Sequence, residues 1–160
     1  MKLSENEKAY IAGFLDGDGC IMFQLVHRKD YIYGYQIRAS VVFYQKKIHV
    51  QHLQWIHSKL KYGYIRIRKD DMAEYTIVGI QPVVEVLKLL QPYVRLKRKH
   101  IDVALRIAKQ LPRYKRLDEK LLLKVSQLVD QYATLNYSKR RSNTSEKLRA
   151  FLKQRTPRND

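Results

Sequence analysis

Apolar positions first recur at helical spacing near the N-terminus. Ser4 with Glu7 three residues on has the form of a capping box, and Ala9-Tyr10-Ile11-Ala12-Gly13-Phe14-Leu15 continues it as a helix. Asp16-Gly17-Asp18-Gly19 predicts its end, because Gly and Asp tolerate the left-handed turn found at helix C-termini. The period then changes to two. From Cys20 to Arg28, Ile21, Phe23 and Leu25 share one face, and Met22, Gln24, Val26 and Arg28 share the other. A polar link with Lys29, Asp30 and Gly34 leads to a second strand, Tyr35 to Tyr44. Its apolar face is Tyr35, Ile37, Ala39, Val41 and Phe43, opposite Gln36, Arg38, Ser40, Val42 and Tyr44.

Ile48 to Leu60 predicts a helix. Strands follow over Gly63 to Arg68 and Ala73 to Gly79, joined by the turn Lys69-Asp70-Asp71-Met72, with Tyr64, Arg66 and Arg68 facing away from Ile65 and Ile67. A helix runs from after Pro82 to about Leu90, and a basic junction, Arg95-Leu96-Lys97-Arg98-Lys99, precedes three more. These span about Lys99 to Gln110, Asp118 to Leu135, and Thr144 to Leu152, the last opening on a capping box at Thr144 and Ser145. The order α-β-β-α-β-β-α with appended C-terminal helices implies an α+β fold of mixed α/β content. Its antiparallel sheet has one face on helices and one face wet. The length suggests one domain over 1–160: a core of about 4–135, a loop and helix over 136–154, and a tail over 155–160.

Charge adds a partner. Lys and Arg number 32 against 15 Asp and Glu, a formal charge of +17. Self-repulsion on that scale opposes compactness, so a polyanion, nucleic acid, is expected. A wet face rich in Gln24, Gln36, Arg38, Arg66 and Arg68 suits DNA, since a twisted β-ribbon in the major groove can offer Gln to adenine and Arg to guanine. No apolar run reaches the ~18 residues that span a bilayer, so a membrane is not expected as partner. The first seven residues are too polar and acidic for a secretory signal and are not Arg-rich, which points to action in the compartment of synthesis. One cysteine, Cys20, excludes an intrachain disulfide and fits a reducing interior. His49, His52 and His57 lack a Cys or further His to complete a structural zinc site.

Candidate chemistry sits at the end of the first helix. Asp18 is a hard oxygen ligand of the kind Mg²⁺ takes beside waters and phosphate oxygens. An EF-hand starting at Asp16 fails, because its sixth position is Ile21 rather than glycine and its twelfth is His27 rather than glutamate. Capping remains the reading for Asp16. Small residues Ala12 and Gly13 suit close approach of a second copy of the helix. A dimer axis there brings two Asp18 side chains together, so that metals held by both act on two scissile phosphates.

Ile11-Ala12-Gly13-Phe14-Leu15-Asp16-Gly17-Asp18-Gly19 resembles the signature of the LAGLIDADG homing endonucleases, with Ala12, Gly13, Asp16, Asp18 and Gly19 matching outright. Later landmarks resemble the single-motif, homodimeric group encoded by introns in algal organelles. These are Tyr44-Gln45-Lys46, Leu90-Gln91-Pro92-Tyr93 with Leu96-Lys97, and Leu135-Asn136 with Ser138-Lys139 and Thr144-Ser145-Glu146. The resemblance covers roughly Ala9 to Leu152 and implies the homing endonuclease fold with a DNA-binding sheet. It also implies Mg²⁺ or another divalent cation such as Mn²⁺, bound by Asp18 with the backbone carbonyl of Gly17, and no small-molecule cofactor.

The resemblance implies catalytic roles for Asp18, for Gln45, as organiser of water, and for Lys97, as stabiliser of phosphate. His49 falls at the active-site periphery, where arginine is usual. DNA-reading positions fall on Met22, Gln24, Val26, Arg28, Gln36, Arg38, Ser40, Val42, Arg66, Arg68, Glu74 and Thr76, several of a type different from the relatives'. Ser138 and Lys139, in Ser138-Lys139-Arg140-Arg141-Ser142, look like a phosphate-binding loop, and Ala12, Gly13 and Asp16 are expected at the dimer interface. The expected function is metal-assisted, site-specific cleavage of both strands of a long pseudo-palindromic DNA site, in a chloroplast or mitochondrion. The alternative is a nucleic-acid binder without cleavage, an intron RNA maturase or repressor, which has no need of a carboxylate at Asp18. A basic ribosomal protein would need neither a self-pairing Ala-Gly helix nor an acid in a basic surface. The absence of a Pro-Asp dipeptide and of a zinc cluster argues against other nuclease architectures.

Overall fold

A computed structural model describes residues 2–112, 117–136 and 141–155. Its elements are α1 (Glu5–Asp18), β1 (Gly19–His27), β2 (Tyr35–Lys46), α2 (Val50–Leu60), β3 (Tyr64–Ile67), β4 (Met72–Val78), α3 (Ile80–Leu90), α4 (Arg98–Gln110), α5 (Glu119–Ala133) and α6 (Ser145–Gln154). The α-β-β-α-β-β-α order and the appended helices agree with the alternation of sequence periods.

The Ser4–Glu7 box is present in full. The Ser4 hydroxyl accepts from the Glu7 N–H at 3.2 Å, and the Glu7 carboxylate accepts from the Ser4 N–H at 2.9 Å. At its other end α1 departs from expectation. It continues through Asp16 and Gly17 to Asp18, and Gly19 leaves it in extended conformation (φ −106°, ψ 164°) rather than left-handed. Gly19 is needed for space. A Cβ there would lie 2.6 Å from Leu15 Cδ1 and 2.7 Å from the Leu15 carbonyl oxygen.

β2 runs two residues further than the alternation suggested and carries Gln45 inside the strand. Lys47–His49 form a turn of 3₁₀ helix before α2. α3 begins at Ile80, ahead of Pro82, which occupies the first turn, where an N–H has no intrahelical acceptor to lose. The Thr144 hydroxyl caps α6 by accepting from the Lys147 N–H at 3.3 Å, but residue Lys147 has no carboxylate to close a box.

The four strands form one sheet in the order β1-β2-β4-β3. β4 lies antiparallel to both β2 and β3, with Tyr44 and Arg66 each opposite Glu74.

The chain divides into two compact units. The first, residues 1–22 and 39–105, contains α1, α2, β3, β4 and α3. Its core takes Ile11, Ala12 and Leu15 from α1, Leu53, Ile56 and Leu60 from α2, Val86, Leu87 and Leu90 from α3, and Val41, Phe43, Tyr75 and Ile77 from the sheet. Each such large side chain contributes about 1.5–3 kcal/mol on burial. Phe14 stacks on Phe43 with ring centres 6.0 Å apart, fixing α1 on β2. The second unit, residues 23–38 and 106–160, buries Phe23, Leu25, Tyr35 and Ile37 of the hairpin, Leu122, Val125, Val129 and Tyr132 of α5, and Leu148 of α6. Among the described residues no helix is long and apolar enough to cross a membrane.

Candidate active site

Asp18 is the last residue of α1 and is exposed, as is Gly17 before it. The carbonyls of a helix's final turn lack intrahelical N–H partners. One exposed carboxylate beside such a carbonyl is a hard donor set that leaves most coordination positions to water and phosphate, as Mg²⁺ prefers. The residues present therefore fit a divalent cation.

Lys97 is brought to the same helix end. Its ammonium donates to the Asp16 carbonyl oxygen, and its backbone N–H donates to Asp16 Oδ1 at 2.9 Å. Asp16 Oδ2 accepts from the N–H groups of Arg95 and Leu96 at 2.7 and 3.1 Å. Asp16 thus caps the segment leading into α4 rather than its own helix. The expectation that it serves a dimer interface meets a carboxylate already engaged inside its own chain. Cys20 lies within reach of the same charge: burial pushes its thiol up, and Lys97 pulls it the other way. Gln45 stands opposite Ala73 in the sheet, its Oε1 accepting from the Lys46 N–H at 2.9 Å. His49 is exposed at the start of α2.

Gln24, Arg28, Arg38, Arg66 and Arg68 are exposed, and Met22, Val26 and Gln36 partly so. Ser40, Val42 and Thr76, by contrast, are 3%, 3% and 5% exposed. They lie on the two central strands, β2 and β4, so less of the expected wet face is open than strict alternation implied. Glu74, 9% exposed, is also covered and turns to the arginines. Its carboxylate accepts from Arg66 Nε at 2.9 Å and pairs with Arg66 Nη2 at 2.7 Å and Arg68 Nη1 at 3.8 Å. Two further carboxylates, which the sequence places only in a link and a turn, hold guanidinium groups. Asp30 engages Arg28 through both oxygens at 2.9 and 2.7 Å, and Asp70 engages Arg68 at 2.7 Å. The signal was an acid two residues after each arginine. Ser138 and Lys139 lie outside the described residues. Near them, Arg141 donates to the Asp130 carbonyl oxygen at 2.8 Å and the Ser145 N–H to the Asp130 carboxylate at 2.9 Å.

On α1, Ala12 is fully buried and belongs to the core, so it cannot supply an outward small-residue face. That face is carried by Gly13 and Gly17, four residues apart and exposed, where an added Cβ meets nothing within 4 Å among the described residues.

The family model for LAGLIDADG endonuclease matches residues 11–109. The DNA endonuclease I-CvuI of Chlorella vulgaris is 37% identical over 145 residues, covering 91% of this chain and 89% of its own. The DNA endonuclease I-CreI of Chlamydomonas reinhardtii is 37% identical over 143 residues, covering 89% and 86%. A crystal structure of the homing endonuclease I-CvuI in complex with the I-CreI target in the presence of Mg, the DNA not cleaved, superposes with a TM-score of 0.87. It is 36% identical and covers 93% of this chain and 94% of that one. With the motif at the end of α1 and matches along nearly its whole length, the chain belongs to the LAGLIDADG endonuclease family.

Proposed function

We propose that the chain is a homing endonuclease that cuts both strands of a specific DNA site as a homodimer, with Mg²⁺ or Mn²⁺ as cofactor and no small-molecule cofactor. The observation that carries this reading is the juxtaposition of exposed Asp18 and the Asp16-held Lys97 at one helix end. Asp18 and the Gly17 carbonyl hold the cation. When bound, the cation acidifies water for in-line attack on phosphorus and offsets charge on the phosphate. Lys97 stabilises the negative charge that grows on the phosphate oxygens. The Gln45 amide, both donor and acceptor, orients water, and His49 stands at the periphery. Arg28, Arg38, Arg66 and Arg68 read guanine edges and Gln24 and Gln36 adenine, with Met22 and Val26 in apolar contact with thymine methyl groups. Ser138 and Lys139 contact the phosphate backbone.

One catalytic motif serves one strand, so two strands call for two chains, paired through the Gly13–Gly17 face of α1. Such a C₂ pair recognises a pseudo-palindrome of two half-sites of ~10 bp, roughly 20 bp in all. The algal sources of I-CvuI and I-CreI support an intron-encoded protein of a chloroplast or mitochondrion. The test is incubation with a randomised duplex library and Mg²⁺, followed by sequencing of the cut ends. Paired cuts within one pseudo-palindromic site are expected. Selective binding with no cuts would instead assign the chain to binding without cleavage.

A further inference from the structure

We infer that Asp16 is a positioning residue for cleavage, acting through Lys97 rather than on DNA, metal or a second chain; this rests on Lys97 being catalytic. The segment from Arg95 to Lys97 joins Val94, which is buried, to α4, and the side chains of Arg95 and Leu96 give it little hold. Arg95 is exposed, and Leu96 is 71% exposed. What fixes this backbone is the Asp16 carboxylate, which accepts from three successive N–H groups at 2.7, 3.1 and 2.9 Å. Hydrogen bonds to an ionised acceptor are about twice as strong as neutral ones, and a carboxylate before the first turn of a helix is further favoured by the helix dipole.

The lysine is gripped at both ends. Its N–H binds the Asp16 side chain and its ammonium binds the Asp16 carbonyl oxygen, one residue before Gly17 and two before Asp18. A long flexible side chain otherwise free to sample many rotamers is thereby folded onto the helix end that bears the metal ligand. Asparagine cannot reproduce this. Two oxygens serve three N–H donors, and an amide keeps one oxygen while turning an NH₂ donor toward the rest. Displacing a catalytic group by about 1 Å costs on the order of 100-fold in rate.

The experiment is a double-mutant cycle of Asp16→Asn and Lys97→Met on the DNA site recovered from the library, reading three quantities. Asp16→Asn is expected to slow single-turnover cleavage by about 10- to 100-fold. It leaves DNA affinity in Ca²⁺ within about 3-fold, and in the Lys97→Met background it slows cleavage by less than about 3-fold, because the two act as a unit. Independently of activity, the backbone amide resonances of residues 95–97 shift. Full slowing by Asp16→Asn on top of Lys97→Met would show a purely structural role and overturn the inference. So would normal cleavage by Asp16→Asn while Lys97→Met is slow. Loss of DNA affinity would assign the carboxylate to pairing of two chains. Normal cleavage by Lys97→Met would instead refute the catalytic role of Lys97 itself. If Asp16→Asn does not fold, Asp16→Glu, which keeps the charge before α4 but is one methylene longer, carries the same cycle with the same outcomes.

Discussion

At the scale of the residue, the sharpest expectation concerns Asp18. Asparagine keeps its shape and one oxygen but removes the charge a hard cation needs, so Asp18→Asn should lose at least roughly 100-fold in cleavage rate. Its DNA affinity should hold or rise without metal, since an acid beside phosphates repels them. Gel shift and cleavage on one target measure both, and robust cutting by Asp18→Asn would remove this residue from the centre. Asp18 stands out by its residue type and its local motif, whereas Gly17 and Lys97 enter only through the family resemblance. Asp16 could be read only as a cap and, by resemblance, as part of a dimer interface. Its partners lie 79 to 81 residues away, a proximity that no local pattern encodes. Glu74 illustrates the same gap: alternation assigns its face, but its pairing with Arg66 follows from the β3–β4 register.

At the scale of the element, α1 is held to α2 by an ion pair between Glu7 and Lys59 at 2.6 Å. Hydrogen bonding to Lys59, and then to Ser4, holds the Glu7 carboxyl below its ordinary value of 4.5. Folding lowers this pKa, so the stability it contributes is present above about pH 4.5 and is lost as pH falls below that toward the depressed value. Glu7→Gln should therefore flatten the acid side of the plot of Tm against pH while changing its shape little above pH 6. Melts at fixed protein concentration check this, and superimposable acid limbs would refute it. Elements were legible where a cap or a period marks them: Ser4, Asp118 and Thr144 all accept N–H groups of the helices they open. The end of α1 was not. Gly17 and Asp18 are ordinary turn formers, yet the helix runs through both. The low exposure of Ser40, Val42 and Thr76 falls on β2 and β4, whose pairing across a long connection no local pattern encodes.

At the scale of the whole molecule, Gly13 poses a question that one chain does not answer. Glycine inside a helix costs about 1 kcal/mol relative to alanine, yet a Cβ at Gly13 would meet nothing within 4 Å among the described residues. The proposed pairing of two α1 helices gives the glycine a reason, because backbones can approach closely only where side chains are absent. Gly13→Leu separates folding from pairing. Leucine is the better helix former and has open space, so the isolated chain should fold at least as well. Self-association should weaken at least ~10-fold, the equivalent of about 1.4 kcal/mol. The charge makes the consequence measurable on DNA. Each chain carries +17, and log K falls by about 0.9 per phosphate neutralised for each tenfold rise in salt. In a symmetric pair the two chains neutralise equal numbers of phosphates, so an unpaired Gly13→Leu chain should bind with about half the salt slope of the parent. It should also cut both strands only at protein concentrations high enough to restore the pair. Sedimentation equilibrium, salt-dependent affinity and a concentration series of cleavage on one target test the three together. A Gly13→Leu protein that stays dimeric, keeps the full slope and cuts at nanomolar concentration would mean that the chains pair through some other surface.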